Sequence, residues 1–307
     1  MSGPLPTYPH AVRNYDLLAI DLDGTLLDSR GAVSARNARA VREARAAGMR
    51  VVICTGRGLV ECRAILAKIE QAEPVVVAGG SIIADPVNGK TLHRFAVDLS
   101  LVERAVRTLV ARRHPALVLK DPAEAGYDYL VVHGEEKHPL DPVTEWWFES
   151  MDVRVRYAAR LAEDAHPEHT VRVGACGLSG ALSEITRDLL AVARGEALVH
   201  NFPAVVAPEH ASRTADGQSL HILELFSAHA NKWSAIQHLA GKWEIPAERI
   251  AAIGDEINDV CMIEGAGLGV AMGNAIPAVR EAADRRVARN DEDGVAEAVG
   301  KVLAGEW

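Results

Sequence analysis

Cysteine is scarce in this 307-residue chain, with only Cys54, Cys62, Cys176 and Cys261, widely spaced and without a C-x-x-C pair. That excludes a zinc knuckle and a disulfide framework and implies a reducing compartment. An excess of basic charge is also missing: 33 Lys and Arg stand against 42 Asp and Glu, a net charge of −9. A duplex or an anionic membrane surface binds through a basic field, so neither nucleic acid nor membrane is an expected partner. No stretch reaches the roughly 18 apolar residues that cross a bilayer. Residues 1–14 hold three prolines and no continuous apolar segment, so the cytoplasm is the expected location. Lysine itself is rare, 7 residues against 26 arginines, so a lysine at any one position is an event of about one in forty. There is no internal repeat and no low-complexity tract, which excludes a solenoid.

What remains is an ordinary folded composition, 49% apolar and 24% charged, in a chain long enough for two domains or one domain with an insertion. Residues 16–20 are a short apolar run of the kind buried on both faces of a parallel sheet. Ser34 then caps a helix over 36–47 that Gly48 ends, 49–54 is a strand, 59–70 a helix and 74–78 a third strand. This βαβαβ order predicts an α/β fold, a doubly wound, Rossmann-like parallel sheet whose ligands bind beyond the carboxyl ends of its strands. From about residue 85 strand-like runs dominate (116–120, 129–133, 171–176, 198–207, 220–226). From 231 the helix–strand alternation returns, with strands at 249–253 and 268–271. The division expected is a core of residues 1–84 and 229–307 and an inserted α+β cap of residues 85–228.

The chemistry gathers at strand ends. Asp21-Leu22-Asp23-Gly24-Thr25 sets two carboxylates two residues apart after the first strand. If strand geometry persists, they project to one side, and the glycine permits a tight turn against a bound group. An exposed acidic loop would carry the same letters. The second strand ends in Cys54-Thr55-Gly56-Arg57, a hydroxyl and backbone amides suited to a phosphate oxygen or, alone, to a plain turn. A later strand ends in Gly254-Asp255-Glu256-Ile257-Asn258-Asp259, two carboxylates one helical turn apart that can hold a hard cation or simply cap a helix. Lys232 lies between, a solvated helix residue were it isolated.

In this order the four segments resemble the haloacid dehalogenase-like phosphohydrolase superfamily, with its D-x-D-G-T, strand-ending Thr, Lys and G-D-x-x-N-D. Residues 269–275 (GVAMGNA) and 290–296 (NDEDGVA) are similar to the Cof-type subfamily of sugar and small-metabolite phosphatases. The spacing agrees: 34 residues separate Asp21 from Thr55, 177 separate Thr55 from Lys232, and 23 separate Lys232 from Asp255, so only the middle gap holds a domain. The resemblance implies a Mg²⁺-dependent phosphatase of small phosphomonoesters, sugar phosphates favoured, that works through an aspartyl-phosphate. In it Asp21 would be the nucleophile, Asp23 the acid and base, Thr55 a donor to a phosphoryl oxygen and Lys232 the neutralising cation. Mg²⁺ would be held by the Asp21 carboxylate, the Asp23 main-chain carbonyl and Asp255, with Gly56, Asn258 and Asp259 around phosphate and metal. The partner would be a small phosphorylated metabolite, and the chain a monomer or homodimer. A phosphomutase of the same superfamily would use the same residues. A non-catalytic phosphometabolite sensor would not need a nucleophile.

Two segments depart from the family pattern. The usual Asn-Gly after the third strand reads Ala78-Gly79-Gly80-Ser81, and the Lys is followed by Trp233 instead of Gly. Trp146-Trp147-Phe148 reads as core packing before it reads as a substrate wall. His166 and His169 have a metal-site spacing with no third ligand evident in the sequence. Cys54 reads as an apolar strand residue.

Overall fold

The computed structural model describes residues 14–204 and 217–307. The sequence readings over residues 1–13, and the end of the strand run at 205–207, lie outside the described residues. In chain order the strands are β1 (Leu17–Asp21), β2 (Arg50–Cys54), β3 (Val75–Val77), β4 (Ile82–Ala84), β5 (Thr91–Arg94), β6 (Ala116–Lys120), β7 (Tyr129–Val132), β8 (Val155–Ala158), β9 (Thr170–Leu178), β10 (Ala197–Pro203), β11 (Leu220–Ser227), β12 (Ile250–Gly254), β13 (Leu268–Ala271) and β14 (Arg285–Arg286). The helices are α1 (Ala35–Ala46), α2 (Leu59–Lys68), α3 (Leu99–Ala111), α4 (Pro122–Ala125), α5 (Pro142–Ser150), α6 (Ser179–Ala193), α7 (Lys232–Lys242), α8 (Val260–Gly265), α9 (Pro277–Ala282) and α10 (Gly294–Leu303).

The chain divides into two compact units. The first comprises the described residues up to Cys54, with Ile65–Glu73 and Ile236–Trp307. Its sheet runs β14-β13-β12-β1-β2 with every pairing parallel. Leu17 to Ile20 of β1 and Ile250 to Ile253 of β12 are almost wholly buried, which is why these strands read as continuous apolar runs instead of alternating ones. Ser34 accepts from the Asn37 N–H and starts α1 where the sequence signal puts it. The register pairs Ile20 with Ile253 and Asp21 with Cys54, so β1 and β12 end side by side at one edge of the sheet. Because the chain leaves β1 toward β2 on one side and returns at β12 on the other, that edge is the switch point where α/β sheets bind ligands.

The second unit comprises Thr55–Ala64 and Pro74–Ala235. It holds an antiparallel ribbon, β3-β4-β5, and a six-stranded sheet of order β10-β11-β9-β6-β7-β8, antiparallel except at β7-β8. Val118, Val173, Ala175, Leu223 and Leu225 form one core with Leu101, Ala105 and Leu109 of α3 and Leu182, Ile185 and Leu189 of α6. Strand alternation therefore turns Glu224, between Leu223 and Leu225, to the face opposite those helices. His200 lies directly across from Glu224, and Leu119 directly across from both Arg172 and Tyr129. The α/β class with a parallel-sheet core holds, and the second unit is α+β.

Candidate active site

In the first unit the strand ends at Asp21, and Leu22–Leu26 wind into one wide turn closed by the Leu27 N–H on the Leu22 carbonyl at 2.9 Å. Strand geometry does not run through Asp23 as the sequence spacing suggests. Asp23 is extended within the turn, at φ −80° and ψ 126°, and Gly24 follows at φ +74°. A Cβ on Gly24 would overlap the Asp255 carboxylate, so glycine is required here both by the left-handed backbone and by the approach of an acid.

Asp21, Asp255 and Asp259 come together: each offers a carboxylate oxygen, and these oxygens all lie within 4.8 Å of one another. Asp21 is 4% and Asp259 0% exposed. Three like charges so close and so shielded repel unless a cation joins them, and oxygen donors of this kind fit a hard divalent ion such as Mg²⁺. The three acids differ in how they are held. Asp259 Oδ2 accepts the backbone N–H groups of Asp255 (2.9 Å) and Glu256 (3.0 Å), shaping the turn that carries Asp255. Asp255 Oδ1 accepts from the Thr25 hydroxyl at 2.8 Å, and its Oδ2 from the Asn274 amide at 3.1 Å. Asn274 also donates to the Gly24 carbonyl at 2.8 Å, and its Oδ1 accepts the Asn290 N–H at 3.0 Å. Asn290 in turn donates to the Leu27 carbonyl at 2.9 Å. Residues 269–275 and 290–296 entered the sequence reading only as subfamily signals. Asn274 and Asn290 are their physical content, a brace between the Asp21–Leu27 turn and Asp255. Asn258 sits half-buried in the short helical turn between Asp255 and α8.

In the second unit, Thr55 is 1% exposed and begins the loop that precedes α2. Its Oγ1 accepts the Arg57 N–H at 3.1 Å, its N–H donates to the Val76 carbonyl at 2.8 Å, and its carbonyl accepts the Gly79 N–H at 3.0 Å. Gly58 donates its N–H to Glu61 Oε2 at 2.8 Å. Lys232 opens α7 fully buried, one residue after Asn231, whose Oδ1 accepts the Ser234 N–H at 2.8 Å and caps the helix. The Gly79-Gly80 departure has a steric cause. Gly80 sits at φ +105° where a Cβ would collide with the Asn231–Lys232 backbone, and a Cβ on Gly79 would lie 2.8 Å from the Phe226 ring. Two glycines let this turn lie against the start of the lysine helix. Trp233 is half-buried.

Sequence reasoning did not find a second set of charges in this unit. Arg172, Glu224, Tyr129 and Glu61 are all buried. Arg172 donates through Nη1 to Glu224 and to the Gly56 carbonyl (3.0 Å), and through Nη2 to the Tyr129 hydroxyl (2.6 Å). Burial works against the guanidinium charge, but Glu224, Tyr129 and Glu61 outweigh it and hold Arg172 protonated. Burial pushes the Glu61 carboxyl up to about 7 despite Arg172 and Arg57 nearby. His200, beside Phe226, is lowered by burial and then by the charge of Lys232.

The remaining signals resolve plainly. Phe148 is buried with its ring 5.0 Å from that of Tyr129, while Trp146 is 40% exposed. Cys54 is buried in β2. Glu168 joins His166 and His169 as a third potential ligand and already contacts His169 Nε2 at 3.1 Å.

The model of the haloacid dehalogenase-like hydrolase family matches residues 18–146 and 195–299, more than half of the chain. The chain belongs to that family. Among curated relatives of this haloacid dehalogenase-like hydrolase, phosphatase YwpJ of Bacillus subtilis is 30% identical over 294 residues, covering 91% of this chain and 97% of the relative. The 5-amino-6-(5-phospho-D-ribitylamino)uracil phosphatase YitU of the same organism is 29% identical over 282 residues, covering 91% and 94%. In fold the chain is similar to a haloacid dehalogenase-like hydrolase from Bacteroides thetaiotaomicron, with TM-score 0.74 at 24% identity over 94% of this chain and 99% of that one. The enzyme is thus a phosphatase of the haloacid dehalogenase-like superfamily, Cof-type. Among the described residues no helix is long and apolar enough to cross a membrane.

Proposed function

We propose that the enzyme is a Mg²⁺-dependent hydrolase of small phosphomonoesters, sugar phosphates favoured, acting through an aspartyl-phosphate on Asp21. The observation that carries this is the Asp21, Asp255 and Asp259 cluster at the neighbouring ends of β1 and β12. Phosphoryl transfer asks a protein mainly for positioning and charge neutralisation. A carboxylate oxygen of Asp21 attacks phosphorus while Asp23, protonated, gives its proton to the leaving alkoxide. Asp23, now a carboxylate, then takes a proton from the water that attacks the aspartyl-phosphate, and orthophosphate and the Asp21 carboxylate are released. Thr55 donates to a phosphoryl oxygen, with Gly56 in the same loop, and Lys232 supplies a cation. Asp21, Asp255 and the main-chain carbonyl of Asp23 would hold Mg²⁺, with Asp259 and Asn258 supporting them. The ion supplies charge neutralisation that lets a dianionic phosphate approach the acids.

The core would be residues 1–84 and 229–307, with the inserted residues 85–228 as a cap that chooses the leaving group. The name of one relative contains a phosphorylated ribityl chain, which supports sugar phosphates as the class. Four widely spaced cysteines without a C-x-x-C pair support a reducing, cytoplasmic setting. The test is phosphate release from sugar phosphates, nucleotides, phosphoglycolate and pyridoxal phosphate, with Mg²⁺ and with chelator, beside Asp21→Asn and Asp23→Asn. Metal-dependent release is expected, with Asp21→Asn below a tenth of wild type and Asp23→Asn down by ~10² or more while still binding metal. Isomerised sugar phosphate without net release would make the enzyme a mutase, and undiminished turnover in Asp21→Asn would remove the nucleophile assignment.

A further inference from the structure

We infer that Arg172 is a positioning residue for the Thr55 hydroxyl, acting through the Gly56–Arg57 peptide. This deepens, and rests on, the proposed role of Thr55 as a phosphoryl-oxygen donor. Arg172 lies on β9 of the six-stranded sheet, 116 residues from Gly56 in sequence, with its guanidinium Nη1 3.0 Å from the Gly56 carbonyl oxygen. A peptide unit is planar, so fixing the Gly56 carbonyl fixes the opposite edge of the same plane, the Arg57 N–H. That N–H donates to Thr55 Oγ1 at 3.1 Å. With an acceptor lone pair of Oγ1 engaged in this way, the hydroxyl proton is turned away from Arg57 and is available to donate.

The rest of the loop is already pinned. The Thr55 carbonyl accepts from Gly79, the Arg57 carbonyl accepts the Ala78 N–H at 2.7 Å, and Gly58 donates to Glu61. Among these loop carbonyls, that of Gly56 is held by a side chain, and a buried one. Arg172 can serve because Glu224 and Tyr129 fix its planar fork from the other side, on the sheet face turned away from α3 and α6. Arg172 Nη1 meets both Glu224 and the Gly56 carbonyl while Nη2 meets Tyr129, and a lysine ammonium ends about one bond short of these nitrogens, so Arg172→Lys keeps the charge near Glu224 and withdraws the donor from the Gly56 carbonyl.

A double-mutant cycle of Arg172→Lys and Thr55→Val tests this, with p-nitrophenyl phosphate and Mg²⁺ as the assay. If Arg172 acts through Thr55, Arg172→Lys lowers kcat by about tenfold or more with KM within about threefold, and costs less than about threefold in the Thr55→Val background. A purely structural arginine would lower both backgrounds equally, and that result, or a folded Arg172→Lys with wild-type kcat, overturns the inference. Arg172→Met/Glu224→Gln, which leaves no buried charge in the pair, is the second variant, expected to lose kcat in the same way, and wild-type kcat in it overturns the inference. Hydrogen exchange at the Arg57 amide provides an arm independent of turnover: it should quicken about tenfold or more in Arg172→Lys while β9 amides do not change. If wild type releases no phosphate, the phosphatase reading fails, and the exchange arm alone decides whether Arg172 holds the loop, unchanged exchange overturning it.

Discussion

The two charged clusters of this protein are built in opposite ways. In the first unit, Asp21, Asp255 and Asp259 carry one sign of charge, brought together by strand ends and braced by neutral donors, Thr25 and Asn274. In the second, Arg172 meets Glu224, Tyr129 and Glu61 as mixed charge and hydroxyl, and the guanidinium is satisfied from within the protein. The first repels itself unless a cation joins it, which is the role proposed for Mg²⁺ there. The second is already neutralised, and its use is to hold a backbone carbonyl in place.

The largest break in that contrast comes from unbalancing the second cluster. Glu224→Ala leaves the Arg172 charge buried without its carboxylate and should cost about 3–5 kcal/mol in urea unfolding, with much of the loss recovered when Arg172→Met is added. Recovery absent from the double variant would mean that the pair does not carry the effect. The next is a pH dependence. Burial raises Glu61 from 4.5 to about 7, and the groups facing it are Arg172 on β9, Arg57 in the loop, Asp128 just before β7 and Tyr129 at its start. The folded protein therefore keeps a proton that the unfolded chain releases above pH 4.5. This contribution to stability is complete below about pH 4.5, is lost as pH rises to about 7 and amounts to at most about 3.5 kcal/mol. Glu61→Gln should flatten the stability profile across that window, and an unchanged slope would place the titration elsewhere. The smallest change is steric and sharpens the first cluster. Gly24→Ala should displace the Asp255 carboxylate and lower activity by about 10²-fold, with weaker Mg²⁺ binding by calorimetry and a native circular dichroism spectrum. Unchanged metal affinity would show that Asp255 tolerates the shift.

Much of the acidic cluster was legible because each part is local. Asp21, Gly24, Asp255 and Asp259 sit in short strand-end segments whose turn chemistry is written in adjacent residues. The Arg172 network was not, because its members are scattered between Glu61 and Glu224 without motif, and Arg172 lies 52 residues from Glu224. Nothing distinguishes Arg172 in a chain of 26 arginines. Trp146-Trp147-Phe148 shows the same limit at shorter range: adjacency said apolar, but only packing decided that Phe148 is buried and Trp146 is 40% exposed.

By itself the sequence determined the strand–helix alternation over residues 16–78 and again from 231, the Ser34 cap of α1 and the segments that could carry two pairs of acids, since periodicity, capping and turn residues act over a few positions. Tertiary structure decided which of them meet. Thr25 reaches Asp255 across 230 residues, Asn274 reaches Gly24 across 250, and Arg172 reaches Gly56 across 116. The order in which strands assemble into a sheet sets those distances, and no local stretch of sequence contains it.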